Sequence, residues 1–389
     1  METNWITFSS ERNHEYMRAG LLISDTSPFS AGAKVWIPPL QAGDSSELHF
    51  VGLVLRPGPQ LRAYLSNQKC DVHFSESKSE LIRLVSDLDL DCIVTDDFLF
   101  RMRLGAQIAG THAIPRLTYC HIFFGLQLLN PRLHHAPIGA SKFLSVAASS
   151  FPFVLASSEY RRLLGTATVR IANSMFTSLM ISTLYGVEVH DVLYPAIDPS
   201  VFKPPENPGG RDVESAVVYT GRKGELGRVD LREVLRVSGR WGVKTYEAFG
   251  YRNSWLGQEA ARAGIKVRWH SDMSEGDLAN LYGQSSLTFA PQRWENFGFV
   301  GPESLSCGTP IVLSRYQPWL EITGMGPFVR ILNPDLSSSS DVSRPSADLG
   351  VQSVKKSLQN LQTLASPASF TLRLARQVRS AAESLCGAT

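Results

Sequence analysis

The sequence predicts an α/β protein of two Rossmann-like, doubly wound domains facing a cleft. Three observations lead there. Short β-rich apolar runs alternate with helix-like segments from end to end, the pattern of parallel sheets with crossover helices. The chain has 389 residues, enough for two domains of ordinary size. A stretch rich in Pro and Gly, FKPPENPGGRD (202–212), interrupts the alternation, and strand–helix units resume directly after it. This sets a first domain at 1–203, a second at 204–370, and a terminal helix at 371–389 expected to return to the first domain.

The candidate strands in order are LLIS (21–24), LHFVGLVL (48–55), CIVT (92–95), FVLAS (153–157), VRIAN (169–173), AVVYT (216–220), IKVRWH (265–270), LTFAP (287–291) and IVLS (311–314). Helix-like segments between them include SKSELIRLVSDL (77–88), SMFTSLMISTLYG (174–186) and EGDLANLYGQS (275–285). The Ser- and Pro-rich stretch 333–350 reads as a surface loop, and 351–385 has helical spacing interrupted at Pro367. No repeat of solenoid period is present.

Composition excludes several classes. Apolar residues are 43% and charged residues 19%, as in a soluble globular protein with a sizeable core. Near balance of 38 basic and 36 acidic residues argues against a dedicated nucleic-acid binder. The five cysteines are scattered and form no C-x-x-C pair, which points to a reducing cytoplasm and not to a disulfide framework or zinc ribbon. The polar first residues do not form a signal peptide. No run reaches the roughly 20 apolar residues of a spanning helix; the nearest, 143–156, is broken by serines and Pro152.

The most informative stretch is SLTFAPQRWENFGFVGPESLSCGTPIVLS (286–314). A strand runs into a loop at Pro291 that carries Glu295, Asn296, Phe297 and Gly298. A short helix is expected from about Phe299, bearing Glu303 and stopping at Gly308. Glu295 then lies at the carboxyl edge of a parallel sheet, where ligands bind. A helix N-terminus attracts anions, Gly298 and Gly301 permit close backbone approach, and the two carboxylates can accept hydrogen bonds from hydroxyls. The pattern suits an anionic ligand that carries hydroxyls. The bland alternative is two solvated glutamates around a turn.

AVVYT leads into GRKGELGRVDL. Gly221, Arg222, Lys223 and Arg228 form a candidate phosphate cradle, with charge-assisted bonds from the basic side chains. Gly-rich surface turns of this kind are also common without any ligand. In the first half, Gly32 and Ala33 follow the first strand in SPFSAGAKVW (27–36), and His121 follows an apolar strand in PRLTYCHIFFG. A neutral imidazole at such an edge can bond a hydroxyl, although a lone His is more often structural. Adjacent His134 and His135 read as exposed loop residues and not as a metal pair. In DLDLDCIVTDD (87–97), Asp96 and Asp97 follow the strand as an adjacent pair, and a solvated strand boundary is expected there instead of a metal-binding Asp-x-Asp. The stretch 122–135 reads either as a buried helix with a polar end or as an acceptor-side surface.

The segment from Pro291 through Glu295-Asn296-Phe297-Gly298 to Glu303 and on to Cys307-Gly308-Thr309-Pro310 resembles the E-x7-E signature of glycosyltransferase family 4, retaining enzymes of the GT-B fold. IANSMFTSLMISTLYGV with VLYPAIDPSVFKP (171–204) is similar to the family stretch that closes the first domain. The resemblance implies a hexosyltransferase that uses a nucleoside diphosphate sugar as substrate, with no cofactor and no metal. It implies that Glu295 orients the donor sugar, Glu303 holds the ribose, Arg222 contacts the diphosphate, and Gly32, Ala33 and His121 lie on the acceptor side, His121 facing the donor sugar. The acceptor would be a glycan, a lipid-linked sugar or a small molecule, with a cytoplasmic enzyme touching the membrane where the acceptor is lipid-linked. One departure stands out: Gly227 occupies the place of the family's diphosphate-binding lysine, and Lys223 or Arg228 would have to supply that charge. A non-catalytic nucleotide-sugar or glycan binder, or a GT-B epimerase or phosphorylase, is the alternative.

Overall fold

The computed structural model describes residues 17–24, 31–41, 48–121, 156–221, 228–292, 295–313, 317–324, 328–332, 359–360, 363–364 and 367–386. They form two parallel sheets. The first contains β1 (Met17–Ile23), β2 (Leu48–Leu55), β3 (Val72–Ser75), β4 (Cys92–Asp96), β5 (Arg116–Cys120), β6 (Val169–Ala172) and β7 (Asp191–Val192), in the order β3-β2-β1-β4-β5-β6-β7. The second contains β8 (Asp212–Tyr219), β9 (Thr245–Phe249), β10 (Lys266–His270), β11 (Ser285–Ala290), β12 (Ile311–Leu313) and β13 (Val329–Ile331), in the order β10-β9-β8-β11-β12-β13. Each sheet starts in its middle, winds outward, then crosses back to wind the other way. The switch points fall between β1 and β4 and between β8 and β11.

The strands read as continuous apolar runs because helices cover both faces. Seven of the eight residues of β2 are buried. One face of the first sheet packs Trp36 and Leu40, the other Leu81, Val85 and Ile108. In the second sheet Leu231, Val234 and Leu256 cover one face, and Tyr282, Leu305 and Trp319 the other. Local signals set the helix ends. Ser77 caps the helix Lys78–Leu88 by accepting the Glu80 N–H at 3.2 Å. Ser274 and Asp277 form a capping box on Glu275–Gln284. Gly186, at φ 62°, ends the helix Met175–Tyr185.

Several sequence expectations change. Ala156 and Ser157 lie in a helix over 156–165, so FVLAS does not end as a strand; 153–155 lie outside the described residues. β3, β7, β9 and β13 were not among the candidate strands, because short or charge-bearing runs such as TYEAF carry a weak period-2 signal. In the tail, 359–360 and 363–364 are helical and Pro367 opens the terminal helix Pro367–Cys386, at a first-turn position where a proline forfeits no helical hydrogen bond. That helix places Phe370, Leu374, Val378 and Ala381 in the first sheet's core beside Val35 and Trp36.

The chain passes from one core to the other in two residues: Ala196 is buried in the first, Ile197 and Phe202 in the second. Phe299 packs against both. The halves therefore meet near the loop before the short helix Val300–Ser306.

Candidate active site

The switch point of the second sheet lies where β8 and β11 run side by side in parallel. In open sheets the crevice outside such carboxyl ends receives ligands. Buried Gln292, just past β11, donates from Nε2 to the carbonyl of Tyr219 at 3.0 Å and ties the two strand ends together. Gly221 has φ 68° and accepts the Tyr251 N–H at 2.8 Å. Gly250, at φ 102°, makes that approach possible: a Cβ there would sit 2.7 Å from the Gly221 carbonyl oxygen. Arg222 and Lys223 lie outside the described residues. The side chain of Arg228, the first residue of the helix Arg228–Arg240, is not described.

Beyond β11 the loop reaches Glu295, which is half-buried, and Asn296, whose buried Oδ1 has no hydrogen-bond partner among the described residues. The Phe297 side chain is 3% exposed and belongs to the core, in contact with the Tyr194 and Phe299 rings, so only its main chain can face a ligand. Gly298 and Gly301 both sit where a side chain would collide with a neighbour. A Cβ on Gly301 would lie 2.2 Å from the Trp319 ring, and one on Gly298, at φ 88°, 2.5 Å from Gln317 Oε1. Trp319 fills the space beside Gly301.

Glu303 is 2% exposed, and its Oε2 accepts the Tyr282 hydroxyl at 3.3 Å. Glu303 is among the residues lining a cavity of about 370 Å³ where the halves meet. Ile37, Pro38 and Tyr64 come from the first sheet's helices, Ile197 and Phe202 from the crossing chain, and Phe299 from the loop. Asp198 and Glu275 add two further carboxylates to the wall. Tyr282, buried against Glu303, has its hydroxyl pKa raised well above the ordinary value by burial and by that neighbouring charge. A wall with three acids repels phosphate and suits neutral hydroxyls and N–H donors.

Of the predicted site residues, Glu303 and Phe299 line this cavity; Glu295, Gly221 and His121 do not. His121 sits at the carboxyl end of β5 in the first sheet, with its side chain 13% exposed. Gly32 and Ala33 fall in the first turns of the helix Ala31–Gln41, with side chains not described. His134 and His135 lie outside the described residues.

The expected solvated boundary at Asp96 and Asp97 is wrong, because both are completely buried. Asp96 pairs with Arg101. Burial pushes its carboxyl up to about 6, with the Arg101 guanidinium pulling the other way. Asp97 holds Tyr160 and the backbone of His121. The strand period there, CIVTD, continues inward to the charged residues, and spacing alone does not show that Arg101 and Tyr160 arrive to receive them. Tyr282, Gln292, Gly250 and Glu275 were likewise missed. Each is an ordinary helix, strand-end or loop residue until the sheet brings it to the switch point.

The two facing sheets are those of a GT-B glycosyltransferase fold. The structure resembles sucrose-phosphate synthase from Thermosynechococcus elongatus, with TM-score 0.69, 14% identity and coverage of 96% of this chain and 100% of that one. It resembles HepE from Anabaena in complex with UDP and glucose, with TM-score 0.64, 13% identity and coverage of 94% and 100%. Residues 250–329, from the Gly250 turn through Glu295 and Glu303 to β13, match the family model Glycosyl transferases group 1. D-inositol 3-phosphate glycosyltransferase of Mycobacterium tuberculosis is 30% identical over 159 residues, which are 36% of this chain and 33% of that protein. The chain thus matches about a third of the length of these curated relatives. Among the described residues no group of three or more His, Cys, Asp or Glu is arranged to hold a metal ion, and no helix is long and apolar enough to cross a membrane.

Proposed function

We propose that the protein is a retaining glycosyltransferase that moves a hexose from a nucleoside diphosphate sugar to a glycan, lipid-linked or small-molecule acceptor without a metal. One observation carries the reading: a buried acidic residue, Glu303, lines a cavity with both apolar and acidic walls where the two halves of a GT-B fold meet, beside the switch point of the second sheet. The match of residues 250–329 to a glycosyltransferase family model supports it.

In this reading the cavity takes the nucleoside. Glu303 accepts the ribose hydroxyls, and the acidic wall keeps the phosphates out. The diphosphate then lies toward Gly298 and Gly221, with Arg222 and Lys223 or Arg228 to carry its charge. Glu295 and Asn296 orient the sugar from below, and His121 meets it from the first sheet. The first half, with the helix that begins near Gly32 and Ala33, holds the acceptor. The bond from the anomeric carbon to the diphosphate breaks as a bond to the acceptor oxygen forms on the same face. The departing phosphate oxygen takes the acceptor's proton. Electrostatic stabilisation of that leaving group is the main catalytic contribution asked of the protein.

A thermal-shift screen against UDP, GDP, ADP and their hexose conjugates, paired with measurement of nucleotide release, tests the reading. A ligand at about 100 times its Kd should add roughly 2.7 kcal/mol of stability. A rise in melting temperature with one nucleotide and slow release from its sugar conjugate is the expected result. Binding without any release, with or without acceptor, would instead fit a non-catalytic binder, and no binding to any nucleotide would remove the reading.

A further inference from the structure

We infer that Asp97 is the positioning residue for His121, holding the imidazole so that its Nε2 is free to accept a hydrogen bond from the donor sugar; this rests on the glycosyl-transfer reading above. β4 and β5 are parallel neighbours with Asp96 opposite Tyr119, so the residues just beyond each strand, Asp97 and His121, emerge side by side. Asp97 is completely buried. Its Oδ1 accepts the backbone N–H of His121 at 3.1 Å, and its Oδ2 accepts the Tyr160 hydroxyl at 2.8 Å. The carboxylate is thereby fixed from the helix over 156–165 on one side and grips the main chain of His121 on the other.

The ring completes the arrangement. His121 Nδ1 is buried, has no hydrogen-bond partner among the described residues and lies 3.7 Å from Asp97 Oδ1. The Phe98 ring packs edge-on at 5.8 Å and the Tyr119 ring at 6.0 Å, which limits ring rotation. Asp96 is not available for this task, since it pairs with Arg101 and accepts the Phe98 N–H at 3.2 Å. A slight ring rotation brings Nδ1–H within reach of Asp97, the kind of tightening that active-site hydrogen bonds undergo when substrate binds. With the proton on Nδ1, the opposite nitrogen carries a lone pair, and the hydrogen bond made by one ring nitrogen decides the chemistry of the other.

The test uses the full chain with ¹⁵N-labelled histidine and long-range imidazole spectra, the His121→Gln variant assigning the signal. Asp97→Asn keeps the size and one acceptor for the His121 backbone and removes the charge. The expected result is a wild-type Nδ1–H tautomer and a shift toward Nε2–H in Asp97→Asn. Hydrolysis of UDP-glucose or GDP-mannose, whichever the wild type accepts, should lose on the order of 10-fold or more in kcat with KM changed by less than about 2-fold. Tyr160→Phe, which frees one carboxylate oxygen, should give an intermediate spectrum even if Asp97→Asn does not fold. An unchanged tautomer in a folded variant would reduce Asp97 to a staple between strands and overturn the inference, as would a changed tautomer with unchanged kcat. If no donor is hydrolysed by the wild type, the glycosyl-transfer reading and the sugar-facing role of His121 fail together, and the spectra still decide whether Asp97 orients the ring.

Discussion

Glu321 accepts the backbone N–H of Met175 at 2.7 Å across the divide between the two sheets. Its other oxygen accepts the Phe176 N–H at 2.8 Å, and the Tyr194 hydroxyl adds a third bond at 3.1 Å. A carboxylate from the short helix Leu320–Thr323 of one half thus caps the helix Met175–Tyr185 of the other. Free N–H groups at a helix start favour a negative partner. Glu321→Ala should lower the free energy of unfolding by about 1–3 kcal/mol, and Glu321→Gln by less. Urea denaturation measures this, and small-angle scattering should show a larger radius of gyration as the halves separate. An unaltered midpoint and radius would mean that the contact holds nothing.

Gly301→Ala forces a methyl group into the Trp319 ring, 2.2 Å from its nearest atom. Overpacking of this kind costs about 1–3 kcal/mol. The double variant Gly301→Ala, Trp319→Phe should recover part of the loss, because the shorter ring vacates the space. Two losses that simply add in denaturation experiments would show that the glycine is not there for the indole.

Glu303→Ala should weaken nucleotide binding by roughly 1–3 kcal/mol, the cost of removing a buried hydrogen-bonded acceptor. Tyr282→Phe removes only the hydroxyl that donates to it, and its effect should be smaller. Calorimetric titration with the nucleotide selected by the thermal screen reads both. Equal affinity in wild type and Glu303→Ala would take the carboxylate out of the ribose site.

Arg222→Ala should depress donor turnover on the order of a hundredfold, as for loss of one stabiliser of transition-state charge. Gly227→Lys tests the departure from the family pattern from the other side: restoring the cation should raise turnover. Nucleotide release from the sugar conjugate follows both. Full activity in Arg222→Ala would move the diphosphate elsewhere.

Asp96 links stability to pH. Burial raises its carboxyl to about 6 in the folded chain, above the ordinary carboxylate value. Between those two values the folded state binds more protons than the unfolded one, so stability falls as pH rises through that window. The slope from this group should approach on the order of 1 kcal/mol per pH unit between about pH 4 and 6. Asp96→Asn should flatten the dependence of the urea midpoint on pH in this range. Equal slopes in the two proteins would show that Arg101 keeps the carboxylate ionised throughout.

The sequence by itself determined the α/β class, most of the strands and the position of the acidic pair. Those features are local: apolar runs bounded by Ser caps, glycine stops and prolines follow from backbone sterics and burial within a few residues of one another. Glu295 and Glu303 were legible because one strand–loop–helix unit holds both, and a distinctive string surrounds them. Only the tertiary structure decided which of them reaches the cavity, that Trp319 claims Gly301, that Asp97 grips His121, and that Glu321 reaches Met175. These relationships join residues tens to more than a hundred positions apart, and they exist because parallel sheets bring distant strand ends to one edge. Spacing along a chain carries no record of that edge, since hydrogen bonding and close packing select the partners only after the sheets have formed.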